Sequence, residues 1–312
     1  MIFSIGIPAF KGVFLSECLD SIINQTYDNF EIIIVNDASP DNIYDIVHEK
    51  NDKRIKYFEN EKNFGVENVI DNWNKCLYLA SGDYFILMGD DDLLAKNYLD
   101  EFAFRIRQHP EFKVYHCRSK IVNEQNEVIQ LTPSLPVVEN IFDLIWARMC
   151  GFRLQFISDF VYQRKELIEN GGFVKLPCAW YSDDLTAFRA CGKVGIYNIN
   201  EPLFSYRRSS FTISAKGDVK LKLKASVLAQ NWLEGYISNS LHDSNDYMKA
   251  FINLNLEKWF QNKKIGLILH SIKNKNVFHR IILLFKYKKY FISLKGLLIV
   301  FILSIQKIHE SK

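Results

Sequence analysis

The sequence predicts an α/β protein with a mostly parallel central sheet, helices on both faces of that sheet, and a helical C-terminal extension. Three observations lead to this fold class. Short β-branched runs alternate with helical patterns over residues 1–110, which is typical of parallel sheets. Hydrophobic residues make up 48% of the 312 residues, which is enough for a large core. After residue 215 the spacing of apolar residues is helical.

Residues 1–110 are expected to contain four buried strands that alternate with four helices. Each strand is a short apolar run, and each helix repeats apolar residues every three or four positions. The expected strands are Phe3–Ile7, Glu31–Asn36, Ile55–Glu59 and Tyr84–Met88. The expected helices lie over Leu15–Ile23, Asn42–Lys50, Val66–Ala80 and Asn97–Gln108.

Residues 111–215 carry shorter and less regular patterns. Strand-like runs are present at Lys113–Arg118, Val128–Leu131, Phe156–Tyr162, Val194–Ile199 and Leu203–Tyr206. Helical spacing is present over Phe142–Met149 and Asp184–Cys191. A polar loop, Arg207–Gly217, precedes the expected C-terminal helices.

Polar clusters follow three of the expected strands. They are Pro8-Ala9-Phe10, Asn36-Asp37-Ala38-Ser39 and Asp90-Asp91-Asp92. Ligands of open parallel sheets bind outside the carboxyl ends of the strands, where such clusters become neighbours. The sequence therefore predicts a binding site at this edge, built from segments far apart along the chain.

The run Asp90-Asp91-Asp92 is the strongest single signal for chemistry. Adjacent carboxylates repel one another unless a cation neutralises them. Mg²⁺ or Mn²⁺ prefers oxygen ligands and often uses one or two carboxylates together with substrate phosphates. The competing interpretation is an acidic N-terminal cap of a helix. The preceding strand and the other strand-end clusters favour the metal site.

Four other segments each allow a functional and a plain structural interpretation. Asp37 is a candidate ligand of a nucleotide base or a cap of the following helix. Asn63 and Gly65 lie either near a ligand or in an ordinary loop. Asp183-Asp184 is a general-base candidate or a helix cap. Arg207 and Arg208 could bind phosphate oxygens or lie in a solvated loop.

These motifs, in this order, closely resemble the family 2 glycosyltransferases, which have the GT-A fold. The resemblance is specific over residues 1–110, weaker over 111–215, and absent beyond about 220. The segments that carry it are Ser4–Phe10, Leu19–Tyr27, Phe30–Ser39, Asn63–Gly65, and Ser81–Tyr84 leading to Asp90–Asp92. It implies a catalytic domain over 1–215, with a nucleotide-binding half (1–110) and an acceptor-binding half (111–215). The helical extension would cover 216–312.

On the donor side, the resemblance implies a role for each matching residue. Asp37 would contact the uracil or other base. Asp90 and Asp91 would face the ribose and diphosphate, and Asp92, together with Asp90, would ligate Mn²⁺ or Mg²⁺. The remaining nucleotide-binding residues would be Pro8, Ala9, Phe10, Asn63, Gly65, Arg207 and Arg208.

On the acceptor side, Asp183 would be the general base that removes a proton from the acceptor hydroxyl. Asp184 is the alternate, because the family's usual acid pair is Glu-Asp and the register is ambiguous by one residue. The sequence departs from the family where Asn36 replaces the first Asp of an Asp-Asp pair. It departs again after Gly65, where Val69–Asn74 lacks the common Ala-Arg-Asn. Both departures obscure which nucleotide and which sugar are used.

The implied reaction is a single displacement that moves a sugar from a nucleotide-diphosphate donor, with a UDP-sugar favoured, to a hydroxyl of a glycan or lipid-linked acceptor. The anomeric configuration would invert. A nucleotidyltransferase is the rival enzyme, but it would require a glycine-rich phosphate loop where this chain has Pro8–Gly12. A degenerate, membrane-associated binding subunit is the non-enzymatic rival, and the intact acids argue against it.

The end of the chain is strongly basic. Residues 263–312 contain eleven Lys or Arg and one acid, Glu310, although the whole chain has a net charge of only +3. Apolar stretches Val277–Leu284 and Phe291–Ile305 lie among these charges, and the longest uninterrupted apolar run is too short for the ~20 residues that span a bilayer. An amphipathic tail on an anionic membrane surface is expected, with a packed helical bundle as the alternative. Nothing else supports nucleic-acid binding.

Cysteine usage and the start of the chain indicate the compartment. Six cysteines are scattered without a C-x-x-C pair, so they are expected to be buried thiols in a reducing environment. Met1 is followed at once by a strand-like run without a basic n-region. A cytoplasmic protein, peripherally associated with the inner face of the cell membrane, is therefore expected.

Overall fold

The computed structural model describes residues 1–209, 218–239, 246–272, 275 and 277–290. It confirms the alternation of strands and helices in the N-terminal part. The elements there are β1 (Phe3–Ala9), α1 (Leu15–Ile23), β2 (Phe30–Asn36), α2 (Ile43–His48), β3 (Ile55–Glu59), α3 (Val69–Leu79), β4 (Tyr84–Leu87), β5 (Leu93–Leu94) and α4 (Tyr98–Gln108).

The rest of the α/β part is made of shorter elements, and the described C-terminal part is helical. The elements are β6 (Val114–Val122), β7 (Val128–Leu131), β8 (Val138–Glu139), α5 (Ile141–Cys150), β9 (Phe160–Gln163), α6 (Arg164–Glu169), α7 (Ser182–Ala190), β10 (Ile196–Arg207), α8 (Val219–Asn239), α9 (Asp246–Ile272) and α10 (Val277–Tyr287). The predicted stretch Phe291–Ile305 lies outside the described residues.

The strands form one sheet in the order β3-β2-β1-β4-β9-β6-β10-β5, with β7 beside β6 and β8 beside β10. The first four strands in this order are parallel, and β10 is parallel to β6. Strand β9 joins the two halves through antiparallel pairing with β4 and β6. Since β1, β2 and β4 run in the same direction, their carboxyl ends meet at one edge, which confirms the predicted convergence of the strand-end clusters.

The opposite edge of the sheet is held by one buried carboxylate, that of Glu31 at the start of β2. It accepts hydrogen bonds from the Ser4 hydroxyl at 2.6 Å, the Ser81 amide at 2.6 Å and the Lys56 ammonium at 2.6 Å. Burial alone would raise the pKa of Glu31, but these donors, Lys56 first, lower it to about 2. Glu31 therefore fixes β1, β2, β3 and the turn before β4 relative to one another.

Two predicted strand boundaries are wrong. The runs Val194–Ile199 and Leu203–Tyr206 form the single strand β10, whose pairing with β6 shifts register around Pro202. Proline cannot donate to the ladder, so the pairing slips there but continues beyond it. The run Phe156–Tyr162 begins with a 3₁₀ turn, Ile157–Asp159, because the Asp159 carboxylate accepts a hydrogen bond from the Phe156 amide at 2.9 Å.

The hydrophobic core has one cluster on each face of the sheet. Helices α1 and α4 cover one face, with Leu19 and Phe102 fully buried. Helices α3, α5 and α7 cover the other, and Leu233 of α8 and Phe260 of α9 belong to the same cluster. Helices α8 and α9 therefore pack on the α/β part. The division near residue 215 stays a prediction, as does the choice between a membrane-bound and a packed tail.

Candidate active site

The carboxylate of Asp90 holds the turn that follows β1. Its Oδ2 atom accepts hydrogen bonds from the backbone amides of Phe10 at 2.9 Å and Lys11 at 2.8 Å. Asp90 is 7% exposed. The turn Pro8-Ala9-Phe10 thus contacts the acid run Asp90-Asp91-Asp92 directly, as the sequence predicted. One carboxylate oxygen of Asp90 is used in hydrogen bonds to the backbone.

The side chain of Lys11 returns to the same acids. Its ammonium lies 3.3 Å from Asp91 Oδ2 and 3.9 Å from Asp90 Oδ1. Burial lowers the pKa of Lys11, but the charges of Asp90 and Asp91 raise it more, so the pKa ends above its ordinary value. The acid run therefore has a charged neighbour that the sequence did not indicate.

Asp92 lies deeper and accepts a hydrogen bond from the Arg207 amide at 2.8 Å through Oδ1. Burial raises the pKa of Asp92 well above its usual range, and the charges of Asp91 and Asp90 add to that rise. A buried carboxylate with this cost of ionisation is stabilised by a nearby cation.

Arg207 was expected to bind a diphosphate, but in the structure its side chain contacts other parts of the protein. The side chain is 0% exposed, and its guanidinium donates to the Asp91 carbonyl at 2.7 Å and to Glu17 at 3.0 Å. The guanidinium also lies 4.1 Å from the centre of the Phe14 ring. The N–H donors of the Arg207 guanidinium are used within the protein. Arg207 therefore holds the acid run in place. Arg208 is exposed.

Asp37 links the end of β2 to the loop that contains Asn63 and Gly65. Its carboxylate accepts hydrogen bonds from Asn60 at 2.7 Å and from the Phe64 amide at 3.1 Å. The Asn63 side chain donates to the Asp37 carbonyl at 3.0 Å. Gly65 has a φ of 73°, which favours glycine. The Asp37 amide donates to the Ala9 carbonyl at 2.9 Å, so this loop is connected to the turn after β1.

The acid run fits a divalent cation that is shared with a phosphate ligand. Among the described residues, no three His, Cys, Asp or Glu side chains are arranged to hold a metal by themselves. Mg²⁺ and Mn²⁺ often bind through one or two carboxylates together with substrate phosphates. The Lys11 ammonium beside Asp90 and Asp91 shows that a cation is already accommodated there.

The second acid pair lies at the start of α7, and its two members differ. Asp184 is 1% exposed and accepts hydrogen bonds from Arg148 at 2.6 Å and Gln155 at 2.7 Å. Asp183 is partly exposed. Burial, and then the charge of Asp184, raise the pKa of Asp183 to about 7, while the charge of Arg148 opposes the rise. Asp183 is thus the member suited to exchange a proton near neutral pH.

The segment before Asp183 is strained and braced by the C-terminal helices. Cys178, Ala179 and Tyr181 have φ values of 50°, 55° and 70°, which cost non-glycine residues about 1 kcal/mol or more each. The Lys222 ammonium of α8 lies 4.7 Å from the centre of the Trp180 ring. On α9, the Phe260 ring lies 5.6 Å from that of Tyr181. Packing against α8 and α9 therefore maintains this backbone.

The 3₁₀ turn Ile157–Asp159 connects the two acid groups. The Gly89 amide, just before the acid run, donates to the Ser158 hydroxyl at 3.1 Å. The charge of Asp159 contributes to the raised pKa of Asp183. One rigid segment thus lies between the strand-end site and the acid pair of α7.

The sequence model of glycosyl transferase family 2 matches residues 4–163, about half of the chain and nearly all of the site just described. The chain belongs to glycosyl transferase family 2. The matched region ends before Asp183 and Arg207, so those two residues rest on the geometry.

Several curated glycosyltransferases are similar to this family 2 chain. An uncharacterized one from Haemophilus influenzae is 33% identical over 114 residues, covering 36% of this chain and 34% of the relative. An uncharacterized one from Rickettsia bellii is 29% identical over 144 residues, covering 46% of this chain and 20% of the relative. Glycosyltransferase GlyG of Streptococcus pneumoniae is 29% identical over 108 residues, covering 34% and 35%. The chain thus spans about a fifth to a third of their length.

Two solved glycosyltransferase structures share the fold. S. aureus TarS 1–349 in complex with UDP-GlcNAc has a TM-score of 0.62 and 18% identity, over 86% of this chain and 81% of the TarS 1–349 chain. The mannosyltransferase PcManGT of Pyrobaculum calidifontis, in complex with GDP-Man and Mn²⁺, has a TM-score of 0.55 and 14% identity, over 99% and 88%. At these identities the likeness shows the fold alone, and it confirms the predicted GT-A fold.

Sequence reasoning missed three side chains that shape the site of this family 2 chain. Lys11 follows a predicted ligand segment, and only its contact with the acids distinguishes it from other surface lysines. Arg148 and Gln155 hold Asp184 but matched no motif. Arg148 lies within the expected helix Phe142–Met149, and Gln155 lies between expected elements. The acid pair itself was the one available signal, since a buried carboxylate such as that of Asp184 requires donors.

Proposed function

We propose that this chain is an inverting glycosyltransferase that moves a sugar from a nucleotide-diphosphate donor, with a UDP-sugar favoured, to a hydroxyl of a glycan or lipid-linked acceptor in polysaccharide biosynthesis. One observation carries the proposal. The strand-end edge joins the turn after β1, Asp37 and the acid run, and Asp183 lies apart from them with a pKa raised to about 7.

The donor is placed at the strand-end edge. Pro8 and Phe10 line the base and ribose pocket, and Asp37 with the loop of Asn63 and Gly65 contacts the base. Ala9, which was expected in this pocket, is 0% exposed and packs in the core. The ligands named for TarS (UDP-GlcNAc) and PcManGT (GDP-Man) support a nucleotide sugar. UDP is the favoured nucleotide of this proposal, and the UDP-GlcNAc named for TarS is consistent with it.

The leaving diphosphate is placed beside the acid run. Asp92, with the remaining oxygen of Asp90, would hold Mn²⁺ or Mg²⁺, which supplies Lewis-acid stabilisation of the negative charge on the diphosphate. PcManGT, whose structure contains Mn²⁺, supports this assignment. Arg208 is exposed and has its guanidinium available for a phosphate, whereas Arg207 positions Asp91 and Asp92.

The acceptor hydroxyl loses its proton to Asp183 as it attacks the anomeric carbon. Attack on the face opposite the diphosphate inverts the anomeric configuration. Asp184 is charge-paired with Arg148 and acts by orienting the first turn of α7. A positioned general base contributes about 10²–10⁴-fold to the rate of such a step.

Replacing Asp92 by Ala is expected to lower sugar release from the donor by on the order of 10²-fold or more, because the diphosphate loses its cation. The measurement is a mass-spectrometric screen of the purified chain against a panel of nucleotide sugars, with and without EDTA. Asp28→Ala removes an exposed acid at the other edge of the sheet and serves as the matched control.

Each outcome of this screen points to one function. Transfer or hydrolysis that EDTA and Asp92→Ala both abolish supports the proposal. Formation of nucleoside triphosphate and sugar 1-phosphate when pyrophosphate is added, without sugar transfer, would indicate a nucleotidyltransferase. Absence of turnover with retained nucleotide binding would indicate a binding subunit.

We also propose that the chain associates with the anionic inner face of the cell membrane. Within the described residues, no helix is both long and apolar enough to cross a bilayer. On α10, Ile282 and Phe285 are 49% and 69% exposed, and Lys286 and Lys288 beside them are exposed. Exposed apolar side chains flanked by lysines suit a membrane interface.

The double change Ile282→Ser and Phe285→Ser is expected to reduce binding of the full chain to anionic vesicles severalfold, because both apolar contacts are lost. Flotation with vesicles of mixed neutral and anionic lipid measures it. Leu254→Ser alters an apolar side chain on α9 that is even more exposed, at 83%, and is the control. Equal flotation of all three proteins would rule out this surface as the contact.

A further inference from the structure

We infer that the Lys11 ammonium is a built-in counter-cation of the acid run, which a divalent metal ion must displace before the donor diphosphate is held. This inference rests on the proposed function, since it concerns the same donor site. In this role Lys11 lowers the affinity of the acid run for the metal ion. It also makes metal binding and donor binding depend on each other.

The position of Lys11 supports this role. The ammonium contacts Asp91 at 3.3 Å and lies 3.9 Å from Asp90. The side chain is 26% exposed, so its end has space to move. Its root is fixed, because the Lys11 amide donates to Asp90 at 2.8 Å. A fixed backbone with a four-carbon stem lets the charge leave the acids while the turn stays in place.

Electrostatics makes the two cations competitors. Three carboxylates on adjacent residues repel one another, and one ammonium neutralises part of their charge. A divalent ion brought beside Asp92 is repelled by that ammonium. Like charges a few ångströms apart in a partly buried site are only weakly screened by solvent. Lys11 therefore weakens binding of the metal alone.

The donor removes that repulsion. The diphosphate brings negative charge to the place where the metal and Lys11 meet, so the displaced ammonium has a new partner. Metal and donor then bind more tightly together than separately. Lys11 would thus belong to the set of side chains that hold the diphosphate, a role that the sequence resemblance implied for Arg207 and Arg208.

The test is titration of the full chain with Mn²⁺ in the absence of nucleotide, with free Mn²⁺ followed by electron paramagnetic resonance. Lys11→Met is expected to bind Mn²⁺ about tenfold more tightly than the unaltered chain. Lys11→Arg keeps the charge and is expected to bind like the unaltered chain. Lys193→Met, at the exposed turn after α7, changes the net charge equally and is expected to have no effect.

A second titration measures the coupling. Addition of UDP is expected to tighten Mn²⁺ binding in both proteins. The gain in Mn²⁺ affinity should be at least about fivefold smaller in Lys11→Met than in the unaltered chain, because the diphosphate has lost a partner. Calorimetry measures the affinity for UDP with and without Mn²⁺. The ratio of these two affinities must equal the factor by which UDP tightens Mn²⁺ binding.

The inference is overturned if Lys11→Met and the unaltered chain have equal Mn²⁺ affinity, or if Lys193→Met shifts it as much. It is also overturned if none of the proteins binds Mn²⁺ while sugar transfer continues in EDTA, and in that case the transferase function stands. Tighter Mn²⁺ binding by Lys11→Met without turnover of any nucleotide sugar supports the Lys11 inference and refutes the function.

Discussion

Asp183→Asn is expected to lower the rate of sugar transfer by about 10²–10⁴-fold while leaving donor affinity unchanged. The substitution keeps the shape of the side chain and removes its ability to accept a proton. Asp183 is partly exposed, whereas Asp184 is buried and paired with Arg148. The loss should therefore fall on kcat and leave the KM for the donor as it is.

The pH profile tests the same assignment. The pKa of Asp183 is raised to about 7, and a general base must be deprotonated to act. Transfer is thus expected to rise as pH increases through about 7 and to level off above it. In Asp183→Asn this pH-dependent rise (the acidic limb of the profile) should be absent.

Asp184→Asn is the matched control for the assignment of the base. The charge of Asp184 raises the pKa of Asp183, and that of Arg148 lowers it. Removing the Asp184 charge, and leaving Arg148 without its partner, should move the limb to lower pH while transfer persists. If Asp184→Asn abolishes the limb and Asp183→Asn retains it, the roles of the two acids are reversed.

Phe260→Ala is expected to lower the free energy of unfolding by about 3–5 kcal/mol, the usual cost of removing a buried phenyl ring. The ring is 0% exposed and belongs to the core cluster on the α7 face of the sheet. It also packs against Tyr181, whose left-handed backbone leads into Asp183. Denaturation by urea, followed by circular dichroism, measures the loss.

The control is Leu254→Ala on the same helix, where the side chain is 83% exposed and a change within about 0.5 kcal/mol is expected. A second measurement concerns the site. In conditions where Phe260→Ala is fully folded, kcat should still fall, because the strained segment before Asp183 has lost its brace. Unchanged stability in Phe260→Ala would show that α9 is dispensable for the fold.

Much of the N-terminal fold could be predicted because its signals are local. Apolar runs such as Glu31–Asn36 are buried on both sides in a parallel sheet, and amphipathic spacing marks the helices between them. The rule that ligands bind at the carboxyl ends of parallel strands then brought Asp37, Asp90 and the turn after β1 together. The contacts of Asp37 and Asp90 with that turn confirm this placement, and their binding roles stay predictions.

Other features depend on partners that the sequence does not reveal. Strand β10 continues past Pro202 because β6 lies beside it. Arg207 was expected to face a diphosphate, but Asp91, Glu17 and Phe14 use its guanidinium inside the protein. An arginine in a polar segment has the same sequence pattern whether its guanidinium binds a ligand or is used inside the protein.

The sequence by itself determined the fold class and the edge of the sheet where Asp37, Asp90 and the turn after β1 meet, because periodicity and strand direction are encoded locally. Only the tertiary structure decided which partners surround each acid. Lys11 beside Asp91, Arg148 beside Asp184, and α9 against Tyr181 come from distant parts of the chain. The charge and burial that such neighbours impose set the pKa and the availability of each carboxylate, and no local pattern records them.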